Sequence, residues 1–102
     1  MLPLNELVEK TEKAVETAVL WLRILKALKR KPSYMSELRR ELNPRPHMTT
    51  FQLSLYLMEG MGLVKREGAG RVKTWYITDK GLEVLERAKE HLKRQMAVIL
   101  EP

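Results

Sequence analysis

Between Leu4 and Arg30 a seam returns at alternating intervals of three and four residues: Leu4, Leu7, Thr11, Ala14, Ala18, Trp21, Leu25 and Leu28. That spacing predicts a helix with a heptad-like stripe. Val8, Val15, Val19 and Leu22 widen it into a broad apolar face. Pro3 suits a first helical turn, and the early glutamates complement the positive end of the helix dipole. At about 1.5 Å per residue the helix would run roughly 40 Å, more than a small domain covers. Part of the stripe is therefore expected to meet another chain. A break between Thr11 and Ala14, giving two shorter helices, is the competing assignment.

Lys31-Pro32-Ser33 stops this helix, because proline turns the preceding residue away from helical geometry. A short second helix is predicted from Ser36 to Leu42, with Met35, Leu38 and Leu42 on its apolar side. Asn43-Pro44-Arg45-Pro46 is then a stiff connector. Thr49 or Thr50 can cap a third helix ending at Gly60, whose inner side is Phe51, Leu55 and Met58. Two β-prone runs, Leu63–Glu67 and Val72–Thr78, flank Gly68-Ala69-Gly70-Arg71 and predict a hairpin. Thr78 can cap a last helix from Asp79 to Leu100, with Leu82, Leu85, Ala88, Leu92, Met96 and Ile99 as its stripe. Glu83 with Arg87 and Glu90 with Arg94 stand at the i,i+4 spacing that favours ion pairs. The chain is thus mainly α with a small β-hairpin.

A length of 102 residues implies one domain. With 44% apolar and 31% charged residues, the composition is that of a folded globular chain. The absence of cysteine excludes disulfides, thiolate metal sites and a cysteine nucleophile. No apolar run approaches the roughly 18 residues of a membrane span, and the opening residues lack the pattern of a signal peptide. A cytoplasmic location is the expectation.

Charge changes the picture further. The net charge is +6 and the pI about 9.8. Residues 1–20 carry −2, residues 21–50 carry +6, residues 51–78 carry +2, and residues 79–102 balance. The whole excess lies in the middle of the chain. Such a footprint suits a polyanion partner, although a solvated basic face would look the same at this level.

Three segments of the middle resemble winged helix-turn-helix regulators of the ArsR and MarR type, archaeal forms among them. Met35 through Leu42, MSELRREL, resembles their second helix. Thr49 through Val64 resembles their recognition helix and its exit, with the ending L-x-x-[LM]-E-x-x-G-L-V. Arg71 through Gly81, RVKTWYITDKG, resembles the return strand of the wing and the entry into the following helix. The likeness covers about residues 15–85. It implies a single winged-helix domain over 1–102, with a core at about 15–80 and helical dimerisation arms at 4–14 and 80–100. Gly62 would permit the reversal from helix to strand. Folds of this kind lay the third helix in the DNA major groove and the hairpin across neighbouring backbone.

On that reading Thr49, Thr50, Gln52, Leu53 and Tyr56 face outward, with Ser54 a lesser candidate. Gln52 suits a bidentate contact to adenine, and Thr50 or Leu53 a thymine methyl. Arg39, Arg40, Arg45, Lys65, Arg66, Arg71 and Lys73 are candidate phosphate contacts, and His47 a phosphate contact or cap. One departure stands out: the family's recognition helices usually expose an Arg or Lys, and none lies between Met48 and Glu59. Leu53, Tyr56 and Leu57 give this helix an apolar exterior instead.

Enzyme chemistry has little support. His47 and His91 lie far apart in the chain without a carboxylate pattern beside them, and Gly68-Ala69-Gly70-Arg71 lacks the setting of a nucleotide-binding loop. No catalytic set, metal or cofactor is expected. A small-molecule effector near Trp21 or Trp75 has no support beyond the two rings, which core packing explains. The terminal stripes, above all Leu4, Leu7, Ala14, Ala18, Leu85, Leu92, Met96 and Ile99, are expected to close a two-fold homodimer. The expected function is sequence-specific binding of double-stranded DNA as a dimeric transcriptional regulator. A protein-docking winged helix and a sequence-independent chromosomal architectural protein are the alternatives.

Overall fold

A computed structural model describes residues 2–102. Helix α1 spans Leu4–Arg30, strand β1 Ser33–Tyr34, helix α2 Met35–Glu41 and helix α3 Met48–Gly60. Strand β2 spans Val64–Glu67, strand β3 Thr74–Ile77 and helix α4 Asp79–Leu100. The expectation of a mainly helical chain with a hairpin holds. The α1 sequence forms one helix of 27 residues without a break at Thr11–Ala14. The Thr11 and Thr17 hydroxyls donate to the carbonyls of Leu7 and Lys13, one turn back, at 2.8 and 3.0 Å, so both residues sit within the helical ladder.

Several boundaries move. Helix α2 lies one residue earlier than expected, and α3 starts at Met48, before the threonines offered as caps. His47 occupies the cap position and makes no side-chain cap bond. Helix α2 opens differently: the Tyr34 backbone N–H donates to Glu37 Oε1 at 3.1 Å. Strand β1 was not foreseen. It pairs antiparallel with β3, Ser33 opposite Trp75 and Tyr34 opposite Thr74, and makes a three-stranded sheet of order β1-β3-β2. Two residues are too few to show a period of two, so the strand exists only through its partner.

The core collects the inner side of each element: Leu20, Ile24, Leu25 and Leu28 from α1, Leu38 from α2, Phe51, Leu55 and Met58 from α3, then Leu63, Val64, Trp75 and Leu85. Trp21 packs against it and Trp75 lies inside it. Only the last third of α1 takes part, since every residue from Leu4 to Val19 is exposed. Residues 89–102 are exposed as well. The molecule is accordingly long, 51 × 29 × 23 Å. The expected α4 stripe therefore splits. Leu85 is 1% exposed in the core of its own chain, which removes it from any surface between copies. Leu92, Met96 and Ile99 remain outside. The reason is geometric: one helix stripe runs past the end of the domain it helps to build. Across the two helices Lys29 and Glu86 form an ion pair at 2.9 Å. Its partner Lys29 holds the Glu86 carboxyl below its ordinary value, by hydrogen bond first and charge second. Within α4 the Glu83–Arg87 pair closes at 2.9 Å. The Glu90–Arg94 pair is not formed.

The junction of α3, the sheet and α4 positions the hairpin. Gly62 leaves α3 at φ +78°, where a side chain would be strained. Thr78 caps α4 by accepting from the Gly81 N–H at 3.0 Å. Its hydroxyl donates toward the carbonyls of Gly62 and Leu63 at 2.6 and 3.0 Å, and its N–H donates to Leu63 O at 3.1 Å. A Cβ on Gly81 would stand 2.1 Å from that same Leu63 oxygen. The start of α4 is thus locked onto the start of β2. No helix among the described residues is long and apolar enough to cross a membrane.

Candidate nucleic-acid interface

Helix α3 buries Phe51, Ser54, Leu55 and Met58, and so turns Thr49, Thr50, Leu53, Tyr56 and Leu57 outward. Ser54, offered as a lesser candidate for the outer face, is 4% exposed and belongs inside. Gln52 is half-buried, its amide nitrogen 3.9 Å from Met35 Sδ on α2. The Asn43–Pro46 connector that delivers the chain to α3 is held from two sides. Arg23 Nη2 donates to Pro44 O and Arg39 Nε to Pro46 O, each at 2.9 Å. Arg39 is therefore half-buried and engaged at Nε, so it holds the connector rather than projecting freely as a phosphate ligand. Arg23, not singled out from the sequence, does the same. Arg40 and Arg45 stay exposed.

The β2–β3 hairpin stands beside α3 with Lys65 opposite Tyr76 and Arg66 opposite Trp75. Lys65 pairs with Glu67 at 3.0 Å, and that hydrogen bond and charge raise its pKa above the ordinary lysine value. Arg71 is exposed at the tip, and Lys73 donates to Gly68 O across the turn. Between hairpin and helix lies an open cleft of about 340 Å³. Met48 and Tyr56 form its helical wall, Tyr34, Met35 and Ser36 its end, and Arg66, Arg71, Val72, Lys73 and Trp75 its hairpin wall. Three of these residues are cations and none is a carboxylate. The cleft thus brings together Tyr56, Arg66, Arg71 and Lys73 from the expected set. Thr49, Thr50 and Leu53 lie on α3 outside it, and Arg40, Arg45 and His47 line other surface.

Glu59 and the Trp75 ring were not among the expected residues of this site. Glu59 accepts from Arg66 Nε at 2.9 Å, and the Arg66 guanidinium stands 5.3 Å from the Tyr56 ring and 5.4 Å from the Trp75 ring. The hairpin register, which sets Arg66 across from Trp75, carried a signal for the second contact. Nothing in the chain pattern marked the first. Among the described residues no group of three or more His, Cys, Asp or Glu is placed to hold a metal ion.

Elements in this order, with the hairpin beside a helix that follows a short helix and a tight connector, recur in solved structures. The chain superposes on a PadR family transcriptional regulator from Eggerthella lenta with a TM-score of 0.78, at 20% identity, over 93% of this chain and 90% of that one. The fold is a winged helix-turn-helix. A second winged-helix match is a PadR family transcription regulator from Clostridium difficile, with a TM-score of 0.64 and 26% identity over 79% of this chain and 99% of that one. A third is the transcriptional regulator BldR from Sulfolobus solfataricus, at 0.68 and 21% over 98% and 86%. These neighbours are transcriptional regulators. No protein-family model and no curated protein sequence matches the chain. In winged-helix terms α2 and α3 are the helix-turn-helix pair, and residues 64–77 with their turn are the wing.

Proposed function

We propose that the protein is a transcriptional regulator that binds double-stranded DNA in specific sequences, acts in the cytoplasm as a homodimer, and catalyses no reaction. The observation that carries this reading is the cleft between α3 and the wing, bordered by Arg66, Arg71 and Lys73 and by no carboxylate, in the stretch of chain that holds the positive excess. A polyphosphate backbone is the partner such a surface attracts. Arg71 and Lys73 would grip the backbone from the wing, with Arg40, Arg45 and His47 on the other flank of α3. Thr49, Thr50, Gln52 and Leu53 would face the base edges, Leu53 as a contact to thymine methyl groups. The likeness to solved transcriptional regulators supports the same reading.

The homodimer rests on the two projecting helix segments. Leu4, Leu7, Val8, Val15 and Val19 on α1 are 40–74% exposed, and Leu92, Met96, Val98, Ile99 and Leu100 on α4 are 45–72% exposed. That much apolar side chain outside the core is covered when a second copy supplies the matching stripes. Two α3 helices about 34 Å apart would then meet successive major grooves. Fluorescence anisotropy against duplex DNA over a salt series tests the proposal, with selection from a random pool to test sequence preference. The log affinity should fall linearly with log salt, and the R71A/K73A variant should lose about 1.8 from the slope, about 0.9 per contact. No binding at low salt, or an unchanged slope in R71A/K73A, rejects it. One observation favours a second reading: Leu53 and Leu57 on α3 and Met61 at its C-cap leave an exposed apolar ridge, each at least 50% exposed. If L53A/L57A loses a protein partner and keeps its DNA affinity, α3 docks protein instead.

A further inference from the structure

Arg66 has the charge of a phosphate ligand and the surroundings of a structural tie. Its Nε donates to Glu59 Oε2 at 2.9 Å, and its guanidinium lies over both the Tyr56 and the Trp75 rings. Those two rings are 6.2 Å apart and inclined at 46°, so the guanidinium closes a three-membered cluster. Tyr56 and Glu59 are three residues apart on α3 and share a face. Arg66 is on β2 and Trp75 directly opposite on β3. One side chain thus ties the recognition helix to both strands of the wing.

We infer that Arg66 is a positioning residue which, with Glu59 as its anchor, holds the wing at a fixed distance from α3 and leaves the backbone contacts to Arg71 and Lys73. The inference rests on the proposed DNA binding for its consequence and on geometry alone for the tie. A planar guanidinium suits both halves of the role: it stacks on aromatic faces while its Nε aims along the plane at a carboxylate. A lysine keeps the charge and loses the fork and the plane. Glu59 would have the opposite meaning if it were an internal stand-in for phosphate, occupying Arg66 until DNA displaced it. The two roles differ in sign, because removing an anchor weakens DNA binding and removing a competitor strengthens it.

The test uses the full chain, with R66Q, R66K and E59Q compared with wild type at a temperature where circular dichroism shows each to be folded. Amide hydrogen exchange without DNA reads the tie directly: exchange at the paired strand residues 64–67 and 74–77 should quicken in R66Q, E59Q and R66K alike, while α1 and α4 keep wild-type rates. Salt-titrated anisotropy on duplex DNA reads the consequence: affinity in all three should fall about fivefold, as loss of an ion pair and a cation–π contact allows, with the salt slope unchanged. Tighter binding by E59Q, a slope reduced by about 0.9 in R66Q, wild-type behaviour of R66K, or wild-type wing exchange in R66Q overturns the inference. If the wild type binds no DNA, the functional proposal fails, and the exchange rates still decide whether the tie exists.

Discussion

Replacing Gly81 by alanine sets two physical effects against each other. Gly81 is the third residue of α4, and helix propensity alone makes alanine better there by up to about 1 kcal/mol. Packing says the reverse. The added Cβ would lie 2.1 Å from Leu63 O and 2.8 Å from Ile77 Cγ1, where real Cβ atoms keep beyond 3.0 Å. The obstacle is backbone, so no rotamer relieves it. The start of α4 must retreat from Leu63 by roughly 0.9 Å, the difference between 2.1 Å and the 3.0 Å that real Cβ atoms keep. That retreat pulls on the bonds from Thr78 N and Oγ1 to Leu63 O, 3.1 and 3.0 Å long, each worth about 0.5–1.5 kcal/mol net. Overpacking itself costs about 1–3 kcal/mol. After the helix gain is deducted, G81A should lose about 3 kcal/mol, within a span of roughly 1–5. In a domain whose whole stability is of order 5–15 kcal/mol this is a large share. At about 4–8 °C per kcal/mol the melting temperature should drop by roughly 12–24 °C. Urea unfolding followed by far-ultraviolet circular dichroism at fixed protein concentration measures it. Stability equal to or above wild type would refute the reasoning, since it would mean that helix propensity outweighs the close approach. T78S should stay near wild type, and T78A should lose about 0.5–2 kcal/mol with the cap.

Leu85 and Leu92 lie on the same expected stripe and should respond differently. L85A should cost about 2–5 kcal/mol as a core cavity, read by urea unfolding at the same protein concentration as wild type. L92D/M96D should leave the folded core intact and shift sedimentation equilibrium from dimer to monomer, and a monomeric wild type would sink the dimer proposal. The Lys29–Glu86 pair makes a small pH-dependent contribution, because its side chains are 47% and 54% exposed. Glu86 has a lowered pKa, so its stabilisation is present above the unfolded value of 4.5 and is lost as pH falls through the lower folded value. Lys65 has a raised pKa, so its share persists at neutral pH and fades only above 10.5. E86Q should flatten the acid limb of the urea midpoint against pH, and an unchanged limb would show the pair to contribute nothing.

Much of this molecule could be read along the chain. Periodicities of three and four located all four helices, Pro32 and the Pro44–Pro46 connector set their breaks, and the glycines around residue 68 marked the hairpin, because these signals act within a few residues of one another. Thr78 as cap was legible for the same reason. The contacts that build the cleft were not. Strand β1 exists only against β3, Glu59 reaches Arg66 across the exit of α3, and Arg39 turns from a free cation into a brace because Pro46 O lies within its reach. The apolar stripes show the same division. Local spacing identified Leu85, Leu92 and Met96 as one face of α4, but burial is set by where the other elements end. Only the tertiary arrangement decided that Leu85 closes the core while its neighbours farther along the helix face solvent.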